Sequence, residues 1–269
     1  MSGAQPLHSF PAILAWLAQE QRTQSQTVTP IPLAALDQWQ LGGDPLHLAH
    51  RSGRFFTIEG VHVETDAGPV PAWDQPIIHQ PEIGILGILT SVFAGVRHYL
   101  MQAKIEPGNI NGVQLSPTVQ ATFSNYSRVH RGAATAFLEY FLELGPARIL
   151  IDHLQGEQGS RFLRKRNRNM VVELPAALAA GLPLGSRFCW MTLGQIKALL
   201  RRDNVVNMDA RSVLACIPTG YGQGHLESAA PHDFSFFDDS VAPDPHPPRA
   251  PRRQASRHTT DEIIHSLTD

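Results

Sequence analysis

The sequence predicts an α+β protein: a mixed or mostly antiparallel β-sheet flanked by helices, followed by a disordered Pro-rich tail. Three observations carry this. Segments alternating polar and apolar residues succeed one another through the middle of the chain, helical periodicity falls at their flanks, and the composition changes beyond about Pro218. The 269 residues are enough to bury a full hydrophobic core.

Taken in order, Phe10 to Gln21 places Phe10, Ile13, Leu14 and Leu17 at helical spacing, with Ser9 as N-cap and Pro11 in the first turn, where a missing N–H costs nothing. Phe55 to Glu64 alternates as a strand, and Ile83 to Leu89 followed by Val96 to Ile105 reads as two strands turning near Gly95. Val113 to Thr122, Arg148 to Leu154 and Phe162 to Glu173 continue the β pattern. Ala134 to Leu144 carries Phe137, Leu138, Phe141 and Leu142 on one helical face. Thr192 to Arg202 is a helix opening on Thr192 and closing on two arginines that complement its dipole. From Pro218 to Arg257, clustered Pro, Gly and charge without a sustained period predict a disordered linker. The final HTTDEIIHSL (258–267) aligns without gaps on HSFPAILAWL (8–17), as the start of a repeat would.

Charge and composition exclude several classes. Lys plus Arg number 22 against 24 Asp plus Glu, a net charge of -2, so no global basic field draws nucleic acid. Cys189 and Cys216 form neither a disulfide framework nor a CxxC pair. The N-terminus has no signal-peptide pattern, and the apolar run Ile83 to Leu89 falls far short of the roughly 20 residues that span a bilayer. A soluble cytoplasmic protein without membrane or nucleic-acid partners is expected. No GxGxxG, Walker, HExxH or GxSxG motif is present.

Polar information concentrates in Trp73 to Leu89, Leu100 to Asn109, Val113 to His130 and Leu154 to Glu173. If Val113 to Thr122 is one strand, Gln114, Ser116, Thr118, Gln120 and Thr122 share a face, either a solvated exterior or a pocket wall for a polyhydroxylated ligand. In RFLRKRNRN (161–169), a strand would project Arg164, Arg166 and Arg168 to one side. Three guanidiniums in a row suit a diphosphate; an exposed basic strand or an RNA contact are the other readings.

Together, QPEIGILGIL, MQAKIEPGN, VQLSPTVQAT with SNY after it, RVHRG, LQGEQG, FLRKRNRNM and TLGQIKALLRRDNVVNMDARSVLA closely resemble the NDP-hexose 2,3-dehydratase family of deoxysugar antibiotic biosynthesis, over about Leu33 to Ile217. The resemblance implies a Nudix-like fold, without the Glu-rich helix that hydrolyses diphosphates. It implies elimination of the C2 hydroxyl of dTDP-4-keto-6-deoxy-D-glucose as water, with no metal, flavin or nicotinamide cofactor. It further implies a homodimer of chains with two tandem copies of the domain, and an NADPH-dependent 3-ketoreductase that consumes the product. On that pattern residues 1–30 are an N-terminal helix and connector, 31–217 the first copy, 218–257 a linker and 258–269 the start of a second copy. A non-catalytic dTDP-sugar binding or assembly domain is the alternative.

The chemistry the resemblance implies needs a base near neutral pH, donors for a C4 oxyanion and an acid near C2. His130 is the candidate base, Glu157 the rival base or the acid, and Tyr126 with Asn125 the oxyanion donors. The implied binding set is Trp73, stacking on thymine, with Gln75, Gln102, Lys104, Gln120, Thr122, Phe123, Ser124, Asn125, Tyr126, Ser160, Arg164, Arg166 and Arg168. Lys104 and Glu106, two apart on one strand face, suit an ion pair. The family pattern has Arg where this chain has Phe123 and Trp where it has Arg161. Losing an Arg that contacts phosphate would cost about 1.5 to 3 kcal/mol unless Arg161 replaces it.

Overall fold

A computed structural model describes residues 5–122, 135–143 and 145–218. Helix α1 (Phe10–Thr23) begins at Ser9, whose side chain accepts from the Ala12 N–H, and buries Ile13 and Leu17 as the spacing predicts. A four-stranded antiparallel sheet follows, in order β1 (Trp39–Gly42), β2 (His47–His50), β3 (Thr57–Glu64) and β4 (Ala72–His79). Few of its side chains are buried, Leu48 and Ile77 among them.

The main sheet has seven strands. β5 (Gly84–Phe93) and β6 (Val96–Ile105) form the expected hairpin, turning on Ala94 and Gly95. Both turn residues have positive φ, 48° and 81°, which matches the twist of a tight hairpin and suits Gly at the second position. β10 (Arg166–Glu173) lies parallel to β5, while β9 (Arg148–Gly156) and β11 (Phe188–Thr192) run antiparallel to β10 and β6. β7 (Val113–Ser116) and β8 (Val119–Ala121) pair with β6 and β5. One parallel pair among antiparallel neighbours makes the sheet mixed and the class α+β.

Apolar cores cover both faces of this sheet. On one, Leu86, Ile88, Tyr99, Met101 and Val171 meet α1, α4 (Leu193–Leu200) and α5 (Met208–Ala215). On the other, Ile85, Leu89, Leu100, Met170 and Val172 meet Phe137, Leu138 and Trp190, with the one-turn helix α2 (Glu139–Leu142) and α3 (Ala176–Ala180). Each fully buried large side chain contributes about 1.5 to 3 kcal/mol of transfer free energy, so the middle of β5 and β6 anchors the molecule.

Three expectations are corrected. Val113 to Thr122 is not one strand, because Pro117 has no N–H to donate and the pairing passes from β6 to β5 there. Ser116 and Thr118 are buried, so the expected polar wall is neither a solvated face nor a continuous pocket lining. The Thr118 hydroxyl instead takes the Leu89 N–H at 3.0 Å and donates to the Leu100 carbonyl at 2.5 Å, joining β5 to β6.

The basic strand begins only at Arg166, since Arg164 adopts a φ of 51° before it. Lys165, within the same basic run, is buried. Among the described residues of the Ala134 to Leu144 stretch, helical structure is limited to α2; Phe137, at a φ of 64°, breaks the period ahead of it. α4 carries the predicted Thr192 cap, closed reciprocally by Gln195. The proposed tail and the terminal repeat lie outside the described residues.

Candidate functional site

One end of the seven-stranded sheet gathers several of the polar side chains that the sequence singles out. β5 and β10 start there, with Gly84 opposite Asn167, and β9 ends there, with Gly156 opposite Arg166. β6 and β8 end there too, at Ile105 and at Ala121, the latter opposite Ile85. Main-chain direction thus brings Lys104, Glu106, Gln120, Glu157, Lys165 and Asn167 to one edge.

Gln120 is the hub of one half. Its amide donates to Glu106 Oε1 at 3.0 Å, and its Oε1 accepts from the Ser116 hydroxyl at 3.0 Å and the Asn207 amide at 3.4 Å. Lys104 Nζ lies 3.0 Å from the same Glu106 oxygen, the ion pair the spacing predicts. In the other half Asn167 donates to Glu157 and accepts the Gly84 N–H at 3.3 Å, while the buried Lys165 ammonium donates to the Glu82 carbonyl oxygen. Two residues along β10, buried Asn169 Oδ1 has no hydrogen-bond partner among the described residues.

Asp209, in the first turn of α5, stands between these halves. Asn207 caps the helix by accepting the Ala210 N–H at 2.8 Å, which brings Asp209 to the sheet edge. Burial, then repulsion from Glu157 and Glu106, pushes the Asp209 carboxyl from 3.8 up to about 6, with Lys104 and Lys165 acting against the rise. Lys165 is lowered, chiefly by burial, with Glu157, Glu82 and Asp209 opposing. A cleft of about 460 Å³ opens beside this cluster, with Glu106, Gln114, Asn207, Met208, Asp209 and Arg211 in its walls. That volume suits a small polar ligand.

A second group lies on the β4 side. Trp73 Nε1 donates to Gln75 Oε1 at 2.8 Å, and the Gln75 amide donates to the Ser160 carbonyl at 2.9 Å. The loop that holds Ser160 closes on itself through the Glu157 N–H to the Lys165 carbonyl at 2.9 Å, and it grips Ile78 of β4 through the Arg161 carbonyl and the Leu163 N–H. One loop therefore ties Trp73 and Gln75 to Glu157.

Other candidates are more dispersed. Gln102 sits within β6, opposite Phe188 and Ser116. Arg168 forks onto Asp152 of β9, with Nε 2.7 Å from Oδ1, so its guanidinium already has a carboxylate partner. Arg166 is exposed, and Arg164 lies before the strand, so the three arginines do not form one β row. Thr122 is the last described residue at the sheet edge. Phe123, Ser124, Asn125, Tyr126 and His130 lie outside the described residues.

Asp209, Lys165 and Asn167 were not among the expected site residues. A signal existed for Asp209: NMDARSVLA has a capping Asn, an apolar stripe at Ala210, Val213 and Leu214, and an acid beside that stripe.

The described domain coincides with a family match. The profile of the NDP-hexose 2,3-dehydratase family matches residues 11–217. A protein of Saccharopolyspora spinosa named dTDP-4-dehydro-6-deoxy-alpha-D-glucopyranose 2,3-dehydratase is 54% identical over 203 residues, 76% of this chain and 41% of that protein. Proteins of the same name from Amycolatopsis orientalis and Streptomyces violaceoruber are 54% and 48% identical, over 77% and 80% of this chain and 44% and 48% of their own lengths. The chain spans less than half the length of these curated relatives. Because the match runs from α1 through α5 and takes in every strand of the main sheet, the chain belongs to the NDP-hexose 2,3-dehydratase family.

Proposed function

We propose that the chain is a sugar-nucleotide hydro-lyase that removes the C2 hydroxyl of dTDP-4-keto-6-deoxy-D-glucose in deoxysugar biosynthesis. The observation that carries this reading is the convergence of carboxylates and amides on a sheet-end cleft, with Lys104 and Lys165 in the adjoining cluster, within the span the family profile matches. The names of the relatives supply the substrate class.

The chemistry follows from the substrate. The C4 ketone acidifies the C3 proton, a base removes it, and the resulting enolate expels the C2 oxygen as water. The enol then tautomerises to a 3,4-diketo-2,6-dideoxy sugar. His130 is the base candidate, Glu157 the rival base or the acid, and Tyr126 and Asn125 the oxyanion donors. Asn167 orients Glu157 by donating to it, and Trp73 and Gln75 hold the nucleotide at the other side of the same loop. Arg164, Arg166 and Arg168 are the diphosphate candidates.

In this reading the mixed sheet with helices on both faces is a Nudix-type scaffold without diphosphate hydrolysis, residues 31–217 are one catalytic copy, and chains associate as homodimers. The diketo product is consumed by an NADPH-dependent 3-ketoreductase. Among the described residues no helix is long and apolar enough to cross a membrane.

The test is proton NMR of the purified chain with dTDP-4-keto-6-deoxyglucose in deuterated buffer, with a nicotinamide-dependent 3-ketoreductase as product trap. Loss of the C3 proton signal together with C2 deoxygenation is expected. Thermal protection by dTDP without either change would indicate a binding or assembly domain instead.

A further inference from the structure

The motif NMDARSVLA has no role in the binding or proton-transfer scheme above, yet it contributes four walls of the cleft: Asn207, Met208, Asp209 and Arg211. An Asp in the first turn of a helix ordinarily faces solvent, where it complements the helix dipole. Asp209 is instead half-buried and lines the cleft beside Glu106, where it feels the charges of Glu106 and Lys104 at the end of β6 and of Glu157 and Lys165 at the neighbouring strand ends. Glu82, ahead of β5, reaches the group through Lys165, which donates to its carbonyl oxygen. Arg211, on the helix of Asp209 itself, is engaged by the Val206 carbonyl at 3.0 Å and the Leu200 carbonyl at 3.4 Å.

Among the described residues, the cations near Asp209 each have another partner. Lys104 pairs with Glu106, and Lys165 is held by a main-chain oxygen. A carboxyl that lines a cleft of about 460 Å³, near two other carboxylates, costs stability when it ionises and is placed to exchange a proton with whatever fills the cleft.

We propose that Asp209 is a catalytic residue of the dehydration, the acid that protonates the departing C2 hydroxyl. This rests on the function proposed above. The C3–H bond breaks and its proton passes to the base. The electron pair forms the C4 enolate and then the C2–C3 double bond as the C2–O bond breaks, and the Asp209 proton leaves with the oxygen as water. The resulting carboxylate is reprotonated when the base returns its proton, and ketonisation moves the enol proton to C2, so the sum is substrate to product plus water. The raised carboxyl, near 6, keeps about a tenth of its population protonated at pH 7, far more than an ordinary Asp would.

The test compares the wild-type chain with D209N and D209E by NMR in deuterated buffer, with dTDP affinity measured alongside. Asp209→Asn is expected to retain dTDP binding and C3 exchange while C2 elimination falls at least about 100-fold. Asp209→Glu should restore part of the rate with a displaced pH profile, which a merely structural residue would not do. Elimination by D209N at the wild-type rate with an unchanged pH profile overturns the role of Asp209 and leaves the function standing.

If the wild type binds the sugar nucleotide without turnover, the readout is the pH dependence of its affinity: a change across pH 6 that D209N abolishes supports a proton shared with the ligand, and identical profiles overturn it. A wild type that neither binds nor turns over overturns the function and the role together.

Discussion

At the end of the seven-stranded sheet opposite the cleft, Glu173 of β10 lies between two guanidiniums. Arg148 Nε donates to Oε2 at 3.1 Å, and Arg97 Nη2 is 2.7 Å from Oε1. Burial pushes this carboxyl up, but the two arginines more than offset it, and it titrates below the ordinary value. At the cleft end, Asp209 is half-buried near Glu157 and Glu106, and its titration rises to about 6. Both carboxylates sit at the margin of one sheet; what differs, among the described residues, is whether a cation pairs with them. Glu173 is a strut. Asp209 holds a proton that can be given away, at a cost in stability that a group without function would not impose.

Removing the strut is expected to have the largest effect. Glu173→Ala leaves two arginines facing each other and should lower stability by about 3 kcal/mol, measured by urea unfolding at pH 7. Because the folded carboxyl is depressed, this stabilisation is complete above the unfolded value of 4.5 and disappears as the pH falls through the folded one. A loss below about 1 kcal/mol would show that the triad is only a surface feature.

Asp209→Asn should act in the opposite direction. A carboxyl that titrates at about 6 in the folded chain and 3.8 unfolded favours folding at low pH, and that advantage is lost as the pH rises between the two values. The variant is therefore expected to be more stable than wild type at pH 8, by at most about 3 kcal/mol, and equal to it below pH 4. Equal stability at pH 8 would remove the contrast between the two ends.

Thr118→Val probes the frame both ends share. It strands the Leu89 N–H and the Leu100 carbonyl and should cost about 1 to 3 kcal/mol without displacing the pH dependence of either carboxyl. The smallest effect on stability belongs to Glu106→Gln. Its ion pair with Lys104 is partly exposed, so unfolding should change by less than about 1 kcal/mol, but loss of its repulsion should move the Asp209 titration toward acid, read by carboxyl carbon NMR.

How much of this was legible follows from the range over which each signal acts. The α1 cap, the β5–β6 hairpin, the α4 capping box and the Lys104–Glu106 pair all depend on residues a few positions apart, so spacing and turn chemistry specify them. Family membership was legible too, because many short motifs occur in order. The candidate site was legible only in part: Lys104 and Gln120 share Glu106 at the sheet end, Glu157 lies at the same edge, and Trp73, Gln75 and Ser160 form another group.

Tertiary structure decided the rest. Pro117 divides a run that alternates on paper, because a strand needs its N–H groups. Lys165 turns inward from a basic run because β10 begins one residue later and its alternation takes the inward face through Asn167 and Asn169. Nothing near Asp209 in sequence marks it as a proton donor. Its chemistry comes from Glu106, Glu157, Lys104 and Lys165, groups on distant segments that the strand order brings to one edge, and a titration shifted by burial and charge is a property of that neighbourhood.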